Sequence, residues 1–574
     1  MNKKRMKDTY KNQMELNATK QHISNLADKA FKAARYKLGD SYIFLLSLGD
    51  SSERCQTHCI PAKCQTELKD TLTKKLISLS PKPGLTLKLE VIQESNPVSW
   101  GQAKEMFTKT KRNYFNLGIA FHEDLRDAIP NGDICGWALL YSSESSHATP
   151  RNDNLSKYLN YRGIDPHEWP DDPRETVYFF STKGFVISNN TIHTINNHAP
   201  YAGYRTIHEW PFSDELETVI HQSTAYLSNQ VNEDGLFFYG RWPCFNKRIN
   251  TYNTLRHFSS SYSILEGWEI TQDKRDLAAA KRAIDFGISC FSSLRDIQLS
   301  GETVSARFIV ETNGELKLGA CAHAVLATSK YTELTGDDCY TEIISQLTYA
   351  IIYFQQATTH GFAHVLHLHD LSIKELSRII YYDGEALFAL CRAYTINNQW
   401  DHILKAALVA ADHFIESEHW RAHDHWLGYA YSSLYKFLPD DKYLVFGLLN
   451  IRNHIDFISK RITTYPTLLE LCMATKSLVL EGYRQGKQNI ISDYIDVDKF
   501  YSALSYRARY LLNGFFWPET AMHFKKPQTI LGSFYIRHHG FRSRIDDNEH
   551  YISGLVAYLK DIKHSPTSDF SPSS

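Results

Sequence analysis

The chain has 574 residues, room for two or more domains and a sizeable buried core. Hydrophobic residues make up 43% of it and charged residues 22%, ordinary for a globular protein, and the net charge is −1. That balance argues against nucleic acid or an anionic membrane as partner and suits a small or neutral ligand.

Residues 1–40 are charged and lack the apolar run of a secretory signal. Within them, 15–36 reads as an amphipathic helix with Leu16, Ile23, Leu26, Ala30 and Phe31 on one side. No stretch approaches the roughly 18 uninterrupted apolar residues of a membrane span. The ten cysteines are scattered, and Cys290, Cys321, Cys391 and Cys472 fall inside helical patterns. Reduced, buried thiols of this kind imply a cytoplasmic protein. Cys55, Cys59 and Cys64, with His58 among them, are spaced irregularly for zinc, and no second ligand pair follows.

Residues 41–211 read as an α+β domain. Apolar, β-prone runs occur at Tyr42–Leu48, Leu85–Ile92, Ile134–Tyr141 and Thr176–Ile187, separated by Pro, Gly, Asn and Ser. A helix is expected to start at Ser99, with Gln102 completing a capping box. The polar, proline-bearing stretch Ser142–Arg174 reads as a long surface loop.

From 212 to 562 helix follows helix with an internal repeat. Ser261–Asp273, Ala324–Asp337 and Leu387–Gln399 each run from an apolar helix through an aromatic residue into a polar turn. Those aromatics, Trp268, Tyr331 and Tyr394, stand 63 residues apart. After each turn comes a one-faced helix: Leu277, Ala280, Ile284, Ile288 and Phe291 form the first stripe. The preceding helices are apolar on most sides, as a helix buried between neighbours must be. Extending the register predicts outer helices from about 214, 274, 339, 400, 441 and 497, and inner helices from about 253, 319, 384, 424, 466 and 547. Glycines at Gly235, Gly361 and Gly514, each just before an aromatic-containing stretch, follow outer helices and suggest left-handed closures. Residues 563–574 form a Ser/Pro tail expected to be disordered.

Six inner and six outer helices after a β-rich domain resemble the six-hairpin glycosidase-like superfamily. The resemblance implies a mainly α protein, a C-terminal (α/α)6 toroid preceded by an α+β domain. It also implies a glycan-active enzyme (hydrolase, lyase or uronate epimerase) acting on a polysaccharide or glycoconjugate in the toroid cavity. The alternative is a non-catalytic glycan-binding or scaffolding subunit of a polysaccharide biosynthesis system. Terpene and lanthionine cyclases also use α/α toroids, and Asp546-Asp547 resembles a terpene-cyclase acidic motif, but a second acidic cluster is lacking.

In such a ring the loops entering the inner helices line one end of the cavity, and polar groups gather there. The first inner helix opens on Asn253, Arg256 and His257; the second follows Lys317; the third opens on Tyr382, Asp383 and Glu385. The fourth opens on Asp424, His425 and Trp426, and the sixth on Arg544, Asp546, Asp547 and His550. Asp, Asn and Glu in first turns also serve as caps, Asp383 and Asp547 especially. For hydrolysis, Glu385, Asp424, Asp546 and Asp547 are the catalytic candidates, and the acid should be the more buried carboxyl, one turn into its helix. For elimination or epimerisation of a uronate, His257, His425, His550 and Tyr382 supply acid and base, and Arg256, Arg544 and Lys317 hold the carboxylate. The histidine-dense segment 360–370 reads as a rim loop; as a strand it would put His367 and His369 on one side, where they could bind a metal. Neither reaction requires a cofactor or a metal, and the expected partner is a carbohydrate.

Overall fold

The computed structural model describes residues 21–78, 85–188, 191–196, 203–207, 212–358 and 361–564. The first half of the expected N-terminal helix and the Ser/Pro tail lie outside them.

The N-terminal domain is built on an antiparallel seven-stranded sheet: β1 (Lys37–Leu38), β2 (Ser41–Gly49), β3 (Gln56–Ala62), β4 (Thr86–Ser99), β5 (Gly118–Ala120), β6 (Thr176–Ser188) and β7 (Thr191–Ile195). Its main path runs β1-β2-β4-β6-β5, with β3 on β2 and β7 on β6. β2 is buried through Ile43–Leu48, the mark of a strand covered on both faces. On one face the helix at 21–33 buries Ile23, Leu26, Ala27 and Ala30 against Phe44, Leu46 and Leu89. The helix thus covers one face of the sheet.

Trp100–Lys109 is a helix capped as expected, with Ser99 Oγ accepting from the Gln102 N–H and the Gln102 side chain returning to the Ser99 N–H. Two expectations fail. Ile134–Tyr141 is not a strand: it ends a short helix, Asn131–Gly136, and its apolar residues pack with Phe107 and Phe115 in a core that wants bulk, not pleat. Ser142–Arg174 contains a helix, Asn152–Arg162, whose buried stripe is only Leu155, Tyr158 and Leu159. Its other positions are polar, so the sequence signal is faint.

The C-terminal part is a closed (α/α)6 toroid. Inner helices are Thr254–Thr271, Leu318–Thr335, Tyr382–Ile396, His425–Phe437, Thr467–Arg484 and Ile545–His564. The outer six are Ser213–Ser228, Lys274–Cys290, Thr341–Gln356, Asp401–Glu416, Asp441–Arg452 and Val497–Leu511. Each inner helix packs on the next, and the sixth packs on the first. At that closure Ser263 Oγ donates to Glu549 O at 3.0 Å, and Arg256 meets Glu549 at 3.0 Å. The second inner helix is buried without a break from Leu318 to Tyr331. The second outer helix buries Ala280, Ala283, Ile284, Gly287 and Ile288 and leaves its other side polar. Burying a large aliphatic side chain contributes about 1.5–3 kcal/mol, and the alternation supplies such residues around the whole ring.

Of the three glycines after outer helices, Gly235 alone has a positive φ (+106°). Gly514 is required by crowding instead, since a Cβ there would lie 2.3 Å from the Tyr551 hydroxyl. The segment between the sixth outer and sixth inner helices, residues 512–544, leaves the ring and docks on the N-terminal domain. Phe516, Phe524, Tyr535 and Phe541 share a core with Cys135, Ala138 and Cys244. Arg54 donates to the carbonyls of Gly136 and His523, both at 2.7 Å, tying the two parts together.

Candidate active site

The N-termini of the inner helices meet at one end of the ring, and their outermost polar residues are caps and clamps. Asn253 Oδ1 accepts from the Arg256 N–H at 3.2 Å. Asp424, fully buried, accepts from the N–H groups of Trp426 (2.9 Å) and Leu427 (3.3 Å). Burial lifts its carboxyl well above the ordinary range despite those bonds. Asp547 receives both Arg542 and Arg544 in bidentate fashion, and these arginines overcome burial to hold it below the ordinary range. A carboxylate so clamped is a poor proton donor, which argues against an acid role for Asp547. Asp383 lies 3.3 Å from His364 Nε2 and 3.7 Å from His419 Nε2, and Lys317 lies 3.2 Å from Glu311.

His257 stands apart from the cavity. Its Nδ1 meets the Tyr252 hydroxyl at 2.7 Å, its Nε2 donates to Ala283 O at 2.7 Å, and burial lowers it to about 4. Both nitrogens are committed to holding the first helical pair together.

One turn deeper lies a second layer in which most of the chemistry converges. Glu385, Glu470, Glu549 and His323 all sit about a turn inside their helices, beside His425, His550, Arg256 and Asp546. His550 Nδ1 is 2.9 Å from Glu470 Oε2, and His425 Nε2 is 3.8 Å from the same oxygen. The two imidazole rings are 5.5 Å apart, edge to face. Arg256 contacts Glu549 (3.0 Å), Asp546 (3.6 Å) and His550 Nε2 (3.5 Å). Arg544 also holds Asp546, at 2.7 Å. Glu549 Oε2 further accepts from Ser259 and, at 3.0 Å, from Ser260. The backbone makes room for this layer: a Cβ on Gly319 would lie 2.2 Å from Glu385 Oε2, and one on Gly384 would lie 2.3 Å from Asp424 Oδ2.

Electrostatics divide the two histidines. Burial lowers His550, but Glu470 and Glu549 outweigh it and raise the ring to about 9, so it is a cation at neutral pH. Burial lowers His425 well below the usual imidazole range, and the positive charge of His550 and Arg256 adds to this, so it is neutral. Burial also raises Glu385 and Glu549 to about 7 against the pull of Arg256 and His550. The Nε2 of His425 and the Oε2 of Glu385 have no hydrogen-bond partner in the protein, although both are buried. Buried polar atoms without partners are costly, so these two are available for a ligand group.

At this end of the ring Arg256 and Arg544 are about a quarter exposed, and His550 is less so. Trp426 is buried edge-on to His323 at 5.0 Å and packs rather than offering an open face; Tyr382 is buried as well. Trp242 is exposed on a strand that pairs with Ser543–Arg544. Glu470, Glu549 and His323 are the members that the cap positions do not reveal, and the signal for them is their place one turn farther in.

Among the described residues, two groups bring three metal-ligand atoms within 4.8 Å of one another: His425–Glu470–His550 and Cys55–Asp133–His523. In the first, the 2.9 Å contact is an ordinary charged hydrogen bond. Cys55, Cys59 and Cys64 do not converge, since Cys59 Sγ turns to Leu125 O and Cys64 is exposed. His364 is buried and accepts from the Arg378 N–H at 2.8 Å, whereas His369 is solvent-exposed beside Asp370. No helix among the described residues is long and apolar enough to cross a membrane.

No protein-family model and no curated protein sequence matches the chain. Solved structures that resemble it include the following three. A D-mannose isomerase is 12% identical over 62% of this chain and 100% of its own, with a TM-score of 0.45. A sugar epimerase from a ruminal bacterium is 11% identical over 61% of this chain and 99% of its own, at 0.44. An unsaturated glucuronyl hydrolase specific for heparin is 12% identical over 61% of this chain and 98% of its own, at 0.43. At such identities the likeness concerns architecture alone, which the closure of the inner helices already establishes.

Proposed function

We propose that the toroid is a carbohydrate-active enzyme that moves a proton at a sugar carbon made acidic by an adjacent carboxylate or carbonyl, with His425 as base and His550 as acid. The supporting observation is the pair itself: two adjacent imidazoles whose surroundings push them in opposite directions, one neutral and one protonated at the same pH. His425 Nε2, unpartnered, takes the proton; the His550 imidazolium, oriented by Glu470, donates to the oxygen that gains charge or leaves. Arg256 and Arg544 stand at the mouth, where their N–H groups meet the substrate's carboxylate or carbonyl oxygen.

A second reading, hydrolysis, draws on the carboxyls of Glu385 and Glu549, which are raised to about 7 as a general acid requires. The free thiols support a reducing, cytoplasmic setting and hence an intracellular glycan.

The test is product analysis after incubation with a panel of neutral and uronate-containing saccharides. Unsaturated or isomerised sugars support proton transfer. New saturated reducing ends would move the assignment to hydrolysis, and binding without turnover would leave a glycan-binding subunit.

A further inference from the structure

Away from the toroid mouth, the N-terminal sheet and the 512–544 segment enclose a cavity of about 80 Å³. That is room for roughly five to eight waters, or one phosphate-sized group. It is walled by Lys88, Glu90 and Thr182 from the sheet and by Glu519, His523 and Arg537 from the segment.

Most charges around it are neutralised. Lys88 meets Glu90 at 3.0 Å, and Thr182 donates to Glu90 at 2.9 Å. Glu519 holds Arg205 in a bidentate pair at 2.9 and 2.8 Å. Asp133 holds His523 at 2.7 Å. Arg537 is the exception: it is 6% exposed and, among the described residues, has no carboxylate within 4.0 Å, its guanidinium facing only the rings of Tyr114, Tyr204 and Phe541 at 4.9, 5.1 and 5.9 Å.

Other buried arginines without carboxylates here give three bonds each to backbone carbonyls and leave only Nε unpartnered. Arg54 donates to the carbonyls of Gly136, His523 and Cys244, and Arg507 to those of Arg461, Thr463 and Tyr465. Arg537 has one carbonyl, Asn113 O at 2.6 Å from Nε, and the Tyr204 hydroxyl on Nη1. Its Nη2 has no oxygen acceptor among the described residues. A buried cation without a counter-charge is costly, and a buried guanidinium facing a polar cavity is matched to an oxyanion. His523 Nε2, also buried and without a partner, belongs to a side chain of the same wall.

We propose that this cavity binds a small oxyanion, inorganic phosphate or a short carboxylate, on Arg537. The site is separate from the toroid mouth and makes the joint between the two parts of the protein responsive to that ligand.

Calorimetric titration of the full chain with phosphate and with acetate tests it. The variants are Arg537→Gln and Ser181→Asp, the latter placing a carboxylate at a half-buried strand position lining the cavity without touching the core. Wild type binds at least one of the two anions. Each variant that folds weakens that binding tenfold or more, and Arg544→Gln, at the toroid mouth, keeps it. Phosphate alone binding assigns a phosphate site, and acetate alone a carboxylate site. Failure of both anions to bind wild type overturns the proposal, as does undiminished binding by Ser181→Asp. Loss in Arg544→Gln instead would put the anion in the toroid.

Discussion

Glu470→Gln probes the electrostatic split between the histidines without requiring a known substrate. Glu470 is almost wholly buried and lies 2.9 Å from His550 Nδ1. His550 is raised from 6.5 to about 9 in the folded protein, a displacement worth about 3 kcal/mol. Because the folded value is the higher one, that stabilisation is complete below about pH 6.5 and is lost as pH rises through about 9. Glutamine keeps the shape and an acceptor oxygen but removes the charge, while Glu549, 3.6 Å away and raised to about 7, supplies a second anion only above that pH. A hydrogen bond to a charged group is worth about 1.5–3 kcal/mol, so the His550 midpoint should fall by roughly one to two pH units. NMR titration of labelled histidine reads the midpoint directly. Thermal unfolding should show the variant about 2 kcal/mol less stable near pH 6, with the deficit vanishing above about pH 9. A midpoint still at about 9, or a deficit equal at both pH values, would refute the assignment of His550 as a Glu470-supported cation.

Other substitutions separate the structural groups from the reactive ones. Gly319→Ala would set a Cβ against Glu385 and Tyr382 and should cost about 1–3 kcal/mol in denaturant unfolding, with repacking of Glu385. Asp547→Asn breaks the clamp on Arg542 and Arg544 and should cost about 3–5 kcal/mol, with lost stability rather than a shifted pH–rate profile as its signature. Asp424→Ala removes a cap with two N–H partners and should cost about 1–2 kcal/mol. If Asp424 is a cap alone, turnover at saturating substrate survives in the folded fraction.

Much of the toroid is legible in the sequence because its two helix types differ in composition. Stripes such as Ala280–Ile284–Ile288 mark outer helices, and unbroken runs such as Ala386–Cys391 mark inner ones. Their observed starts, including 213 and 274 outside and 254 and 318 inside, fall close to the expected positions. The segment 512–544 is harder to read because its apolar residues follow no period: they fill a joint between two units rather than a face. Asn152–Arg162 escapes for a related reason, a stripe of only three residues. At the site, positions at or near the starts of the inner helices bring Arg256, His425, Arg544, Asp546 and His550 together, while Asn253 and Asp424 also cap their helices, Asp547 is clamped by two arginines and His257 is bonded to an outer helix. Glu470 and Glu549 carry the decisive electrostatics, and only the closed ring brings the fifth and sixth helices near enough for both to act on His550.

The most direct measurement is solvent-deuterium exchange by NMR on a turned-over saccharide, comparing wild type with folded His425→Gln and His550→Gln. If the histidine pair transfers the proton, wild type incorporates deuterium at, or eliminates from, the carbon beside the carboxylate or carbonyl. His425→Gln then abolishes loss of that proton, and His550→Gln slows product formation and removes its alkaline limb near pH 9. Turnover that leaves every carbon-bound proton in place, undiminished in either variant, would contradict a proton-transfer enzyme built on these two residues.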